Sequence, residues 1–104
     1  MKIDCQVDNQ AKSKTFILEG ELDVHNVKNL KAEIMEAIDN DGWAYILDMD
    51  KVSYLDSSGL GMLVHIKKEI ARSEGSLKII NIQGTVLNVF KLTRLDEFFD
   101  ITAK

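Results

Sequence analysis

The sequence contains no proline and only one cysteine among its 104 residues. Without proline, and without a Gly/Ser-rich tract or a run of one charge sign, no segment has the composition of an interdomain linker. A lone cysteine, Cys5, cannot form an intrachain disulfide or a cysteine-rich metal site. We therefore expect one domain over residues 1–104, in the reducing cytoplasm, that folds without a metal or a cofactor.

Long apolar runs and an excess of basic residues are also missing. No stretch approaches the about 18 apolar residues of a membrane span, and the N-terminus lacks the apolar core of a signal peptide. The net charge is −4, whereas broad binding to nucleic acid or to an anionic membrane needs a concentrated basic surface. The composition argues against both of these functions and favours a protein partner.

The first third of the chain has the patterns of a hairpin. Ile3, Cys5 and Val7 alternate with polar residues, which is the period of a half-buried strand. Polar residues at 8–10 predict a turn, and the strand formers at 15–19 predict a second strand. We expect the two strands to pair with each other.

A helix and a buried strand are predicted next. Asp23 is expected as the N-cap of an amphipathic helix that ends before Asp41 and Gly42. The nearly continuous apolar run at 43–47 predicts the central strand, covered on both faces. The helix is predicted from apolar residues at spacings of three and four, namely Val27, Leu30, Ile34, Ala37 and Ile38.

The remaining elements alternate in the same way. A second helix is predicted after Asp56 with Gly75 at its C-terminal cap, followed by a strand at 77–82 and a shorter helix over 86–92. Residues 98–101 are expected to form a final strand or a docked turn. This order predicts an α/β fold in which a mixed, mostly parallel sheet of about four to five strands has helices packed against it.

The best candidate for function is the segment 54–61, between the predicted central strand and the second helix. Such folds place sites in loops at the carboxyl ends of sheet strands. In the simplest interpretation, Asp56, Ser57 or Ser58 only caps the helix by accepting hydrogen bonds from its free backbone N–H groups.

A catalytic serine fits the sequence poorly. A nucleophile needs a nearby base, and the only histidines are His25 and His65, the second of which lies in the middle of a predicted helix. Leu55 also occupies the position of the first glycine in the Gly-x-Ser-x-Gly elbow, so Ser57 does not match that motif. We therefore expect a protein that is not an enzyme.

Phosphate chemistry can take two forms at this segment. Gly59 and Gly61 lack the third glycine of a nucleotide fingerprint, and no Gly-Lys-Ser/Thr sequence is present, so a bound nucleotide is not supported. A covalent phosphate fits better, because the dipole and the free N–H groups of a helix start favour an anion. Added negative charge beside Asp56 can abolish a complex whose partner must desolvate it.

At this point a family resemblance is visible over nearly the whole chain. The STAS domain family of bacterial anti-sigma factor antagonists has two signature segments that resemble Gly20-Glu21-Leu22-Asp23 and Asp56-Ser57-Ser58-Gly59-Leu60-Gly61. The resemblance implies a partner-switching protein. Unphosphorylated, it binds an anti-sigma factor that is also a serine kinase and so frees the sigma factor; phosphorylated by that kinase, it releases it. A separate serine phosphatase restores the binding form.

The resemblance also assigns residues. Ser57 matches the phosphoacceptor, and Asp23 matches the acidic residue used in partner contact and phosphorylation. The other positions expected to contact the partner are Asp56, Ser58, Gly59 and Gly61. Asp23 can equally be a helix cap, Gly20 can serve a positive φ, and Gly61 can allow close approach of a helix or a partner. The alternative function is a scaffold or an accessory subunit of a sensory or transport complex.

Overall fold

The computed structural model describes residues 1–38 and 42–103. This described part forms one sheet with strand order β1-β2-β3-β4-β5, in which β1 is antiparallel to β2 and the other neighbours are parallel. The predicted α/β fold with a mixed, mostly parallel sheet is confirmed. The elements, in chain order, are β1 (Lys2–Asp8), β2 (Ser13–Leu22), α1 (Val27–Ala37), β3 (Ala44–Leu55), α2 (Ser57–Arg72), β4 (Ser76–Ile82), α3 (Gly84–Leu92) and β5 (Asp100–Ala103).

The predicted hairpin joins β1 and β2. Its turn is stabilised by Asp8, whose carboxylate accepts hydrogen bonds from the backbone N–H groups of Gln10 at 3.1 Å and Ala11 at 3.0 Å. Such side-chain bonds are the reason why Asp is common in turns. The polar residues that predicted the turn therefore form it directly.

The central strand is β3, as predicted, but its two faces differ. Tyr45, Leu47 and Met49 are fully buried, whereas the alternate residues Ala44 and Ile46 are half-buried. All crossovers from β2 to β5 step along the sheet in one direction. Right-handed crossovers then place the helices on one face. The expectation that the strand is covered on both faces is therefore wrong, and the core lies on the face of Tyr45.

The predicted start of the first helix needs correction, whereas its predicted end before Asp41 and Gly42 is confirmed. Helix α1 begins at Val27, because residues 23–26 form a separate turn before it. It ends at Ala37, well before Asp41 and Gly42, of which Asp41 lies outside the described residues. A side chain of the sheet holds the last turn of α1: the buried Lys14 of β2 donates a hydrogen bond from Nζ to the carbonyl oxygen of Ala37 at 2.7 Å.

Gly75 takes part in the predicted C-terminal cap of α2 through its backbone N–H, although it is not the left-handed residue of that cap. The left-handed residue after α2 is Glu74, with a φ of 61°. The N–H of Gly75 donates to the carbonyl oxygen of Ile70 at 3.0 Å, and a Cβ on Gly75 would lie 2.7 Å from the carbonyl oxygen of Trp43. A glycine is therefore needed here for close approach to the strand before it.

The end of the chain also differs slightly from the prediction. Strand β5 begins at Asp100, while Phe98 and Phe99 belong to the preceding turn. Phe99 is buried and meets Phe90 of α3 edge-on, with 5.4 Å between the ring centroids. Within residues 1–38 and 42–103, no helix is long and apolar enough to cross a membrane.

Candidate functional site

The two sequence motifs lie at neighbouring strand ends. Leu22 at the end of β2 pairs with Leu55 at the end of β3. The N–H of Asp56 donates to the carbonyl oxygen of Leu22 at 3.2 Å. Asp23 and Ser57 each follow this junction within two residues. The parallel register therefore brings the Gly20–Asp23 and Asp56–Gly61 segments to one edge of the sheet.

Asp56 is the N-cap of α2. Its carboxylate accepts a hydrogen bond from the N–H of Gly59 at 3.0 Å, and its backbone is extended, as an N-cap requires. Ser57 is the first helical residue and is exposed, while Ser58 is half-buried. Of the three residues considered as caps, Asp56 makes the bond, which leaves the hydroxyl of Ser57 at the surface.

Gly59 is buried beneath this turn. A Cβ at this position would lie 2.6 Å from the carbonyl oxygen of Leu22 and 2.5 Å from Cδ1 of Leu55. No side chain fits such a gap without displacing backbone. Gly59 thus lets α2 start directly on the two strand ends, and its burial gives it a packing role that the expectation of partner contact did not include.

Asp23 caps a turn and not the helix itself. Its Oδ1 accepts from the N–H of His25 at 3.0 Å and of Asn26 at 3.2 Å. Its carbonyl oxygen accepts from the N–H of Val27 at 3.0 Å, so the turn leads directly into α1. The side chain is half-buried. A capping role and a surface position are therefore both present in Asp23.

Two exposed apolar residues flank the motifs. Val24 follows Asp23 and is 62% exposed, and Tyr54 precedes the serine turn and is 50% exposed. Neither residue was assigned a role from the sequence. In the sequence, each residue is recognisable as an apolar side chain close to an acidic motif. Tyrosine is a common anchor of protein interfaces, and Val24 adds apolar area to the same surface.

A groove runs between the first two helices, next to the serine turn. We call it the α1–α2 groove; it has a volume of about 410 Å³ and is lined by Val27, Lys28, Lys31, Ser58, Gly61, Met62 and His65. His65 follows Ser58 by two helical turns, which separates their Cα atoms by about 10 Å along the axis. His65 is therefore not placed as a base for Ser58.

Metal binding finds no support in the same region. Among the described residues, no group of three or more His, Cys, Asp or Glu side chains is arranged to hold a metal ion. The site offers the exposed hydroxyl of Ser57, the half-buried carboxylates of Asp23 and Asp56, and exposed apolar side chains, all close to a helix N-terminus.

These features define the protein as a small α/β binding domain with an accessible serine at the start of a helix. Comparison with known proteins agrees with this class. The model of the STAS domain family matches residues 3–104, and the chain belongs to this family.

Curated and solved relatives cover nearly the whole chain. The chain is 31% identical over 104 residues to an anti-sigma-B factor antagonist of Bacillus subtilis, with 100% of this chain and 94% of that protein aligned. An anti-sigma factor antagonist from Mycobacterium paratuberculosis superimposes with a TM-score of 0.82 at 21% identity, over 99% and 87% of the two chains. SpoIIAA of Bacillus in its phosphorylated form gives a TM-score of 0.70 at 23% identity, over 99% and 93%. The last two likenesses establish a common fold.

Proposed function

We propose that this protein is an anti-sigma factor antagonist whose binding is controlled by phosphorylation of Ser57. Unphosphorylated, the domain formed by residues 1–104 binds an anti-sigma factor that is also a serine kinase, and the sigma factor is released. The observation that carries the proposal is the exposure of Ser57 beside the junction of Leu22 and Asp56, where the acidic Asp23 motif lies. The names of the relatives at about 30% identity support the same function.

The binding surface surrounds Ser57. Asp23 and Asp56 supply negative charge, which suits a basic patch on the kinase. Val24 and Tyr54 supply apolar area that a partner can cover. The half-buried Ser58 and the exposed Gly61 extend this surface along α2, and we assign them to the partner contact as well.

Phosphorylation switches off binding by electrostatics and not by unfolding. A phosphate adds about −1.5 to −2 charges next to Asp56. The helix dipole stabilises this charge within the domain by about 0.3–1 kcal/mol. A partner that must desolvate the enlarged negative cluster loses several kcal/mol, so the complex dissociates.

Two other proteins complete the cycle. The kinase supplies the phosphoryl group from ATP to Oγ of Ser57, and a separate serine phosphatase hydrolyses the phosphoester. The domain itself acts as a substrate and a binding partner and not as an enzyme. A protein that belongs to a family of regulatory binding domains suits this role.

The test uses the unphosphorylated protein and the anti-sigma factor serine kinases of the same genome. Ser57→Ala is expected to bind its kinase with or without ATP, while Ser57→Glu binds poorly. Ser76→Ala, at an exposed position at the start of β4, serves as the control and should still be phosphorylated and released. Incubation with kinase and ATP should add one phosphate, at Ser57, in a peptide mass spectrum. A kinase that binds the protein and leaves Ser57 unmodified would refute the switch.

A further inference from the structure

The α1–α2 groove presents one continuous stripe of α2. Its α2 residues, Ser58, Gly61, Met62 and His65, are spaced by three, four and seven positions, which places them on one helical face. Across the groove lie Val27, Lys28 and Lys31 of α1. The stripe begins one residue after Ser57, so the groove extends the surface of the serine turn between the two helices.

The centre of the groove is apolar and accessible. A Cβ on Gly61 would meet nothing within 4 Å, so a partner's backbone can approach α2 there. Met62 is buried beneath it, and the half-buried Val27 completes the apolar wall. A methionine at such a position adapts to different apolar side chains. This shape suits a helix that inserts one or two apolar residues.

The rim of the groove is positive in an otherwise acidic protein. The chain has 17 acidic and 13 basic residues. In the part of the chain that the structure describes, the groove is lined by Lys28 and Lys31 and by no carboxylate. A negatively charged segment is therefore favoured at this surface, and a basic one is repelled.

We propose that the α1–α2 groove docks an acidic amphipathic helix of the anti-sigma factor kinase. Apolar residues of that helix cover Gly61 and Met62, and its carboxylates face Lys28 and Lys31. This inference rests on the proposed function, since it names a second element of the same partner.

The two contact regions demand opposite charges of one partner. Asp23 and Asp56 suit a basic patch, whereas Lys28 and Lys31 suit an acidic helix. A kinase must then carry both patches at the correct separation. The need for both patches discriminates among related kinases. A kinase that is basic at both positions would place its basic residues against Lys28 and Lys31, and one that is acidic at both would place its acidic residues against Asp23 and Asp56.

The first test is charge reversal. The double variant Lys28→Glu/Lys31→Glu is compared with Lys91→Glu/Arg94→Glu, which makes the same charge change at two exposed basic residues that are also three positions apart and lie at the end of α3, outside the groove. Circular dichroism checks the fold of both. In titrations with the cognate kinase, we expect the groove variant to bind at least about tenfold more weakly. The control should stay within about twofold of the unmodified protein, apart from the shared effect of net charge.

The second test needs no variant. A carbodiimide joins lysine amines to carboxylates that touch them, so treatment of the wild-type complex should link Lys28 or Lys31 to an Asp or Glu of the kinase. Lys91, on α3, should not be linked.

The outcomes separate the two proposals. A complex that forms equally well with both double variants and gives no link at Lys28 or Lys31 overturns the groove inference alone. If Ser57→Ala forms no complex with any of the genome's kinases, the proposed function fails and this inference fails with it.

Discussion

The backbone N–H of Asp56 donates a hydrogen bond of 3.2 Å to the carbonyl oxygen of Leu22. Through this one bond, the residue before the acidic Asp23 is held against the residue before Ser57. The bond lies at the end of the parallel pairing of β2 and β3, where Leu22 faces Leu55. The position of the proposed phosphorylation site thus depends on the register of two core strands.

Substitution of Gly59 should destabilise the domain, while substitution of Gly61 should not. A Cβ at Gly59 would lie 2.6 Å from the carbonyl oxygen of Leu22, whereas one at Gly61 meets nothing within 4 Å. We expect Gly59→Ala to lower the free energy of unfolding by about 1–3 kcal/mol. Gly61→Ala should raise it by up to about 1 kcal/mol, since alanine favours a helix. Urea titrations measure both, and equal effects would contradict the packing role of Gly59.

The carboxylate of Asp56 should contribute to stability as a cap. Asp56→Ala removes the acceptor for the N–H of Gly59 and is expected to cost about 0.5–2 kcal/mol of unfolding free energy. Asp56→Asn should keep most of the stability, because asparagine caps a helix about as well. Thermal unfolding of the two variants distinguishes a cap from a purely electrostatic role. Equal losses would show that the charge, and not the hydrogen bond, matters.

Phosphorylation of Ser57 should leave the fold unchanged. Because Ser57 is exposed at the first turn of α2, the phosphate meets the positive end of the helix dipole. The free energy of unfolding should change by no more than about 1 kcal/mol. Urea titrations of the phosphorylated protein and of the same sample after phosphatase treatment provide the comparison. A loss of cooperative unfolding on phosphorylation would mean that the switch acts by disrupting the domain.

The buried Lys14 should stabilise the end of α1. Its Nζ donates to the carbonyl oxygen of Ala37 at 2.7 Å, and it lies 5.9 Å from the centre of the Trp43 ring. Lys14→Met keeps the apolar stem but removes the charged donor, which should cost about 1.5–3 kcal/mol. Lys68→Met, at an exposed position of α2, is the control and should change stability by less than about 0.5 kcal/mol. Urea titrations give both values.

Much of the fold could be predicted because its signals are local. The alternation in β1, the apolar run at the start of β3 and the helical spacing in α1 are each contained in one segment. The start of α2 was predictable for the same reason, since Asp56 and the following serines are typical of a helix N-terminus. That pattern left Ser57 and Ser58 as alternatives, and it was the resemblance to the STAS family that assigned Ser57.

The features that were missed depend on contacts between distant segments. Strand β3 continues to Leu55, beyond the apolar run, because its charged second half pairs with β2, as in Glu19 with Lys51. Asp23 was correctly predicted to cap the chain that follows it. Its carboxylate accepts from the N–H groups two and three residues later, and this pattern occurs both in turns and at helix starts, so the start of α1 was placed too early. Lys28 and Lys31 lie between the apolar positions of the helical pattern, and only the packing of the two helices reveals the stripe of α2 opposite them.

The exposure of Ser57 in the folded domain has a kinetic consequence under the proposed function. A kinase or a phosphatase reaches the hydroxyl without any opening of the sheet or the helix. The time for which the domain stays in either state is then set by the concentrations and turnover of those two enzymes. The domain thus retains its phosphorylation state until one of these enzymes acts on it. Its own folding dynamics do not limit how fast the cell can phosphorylate or dephosphorylate it.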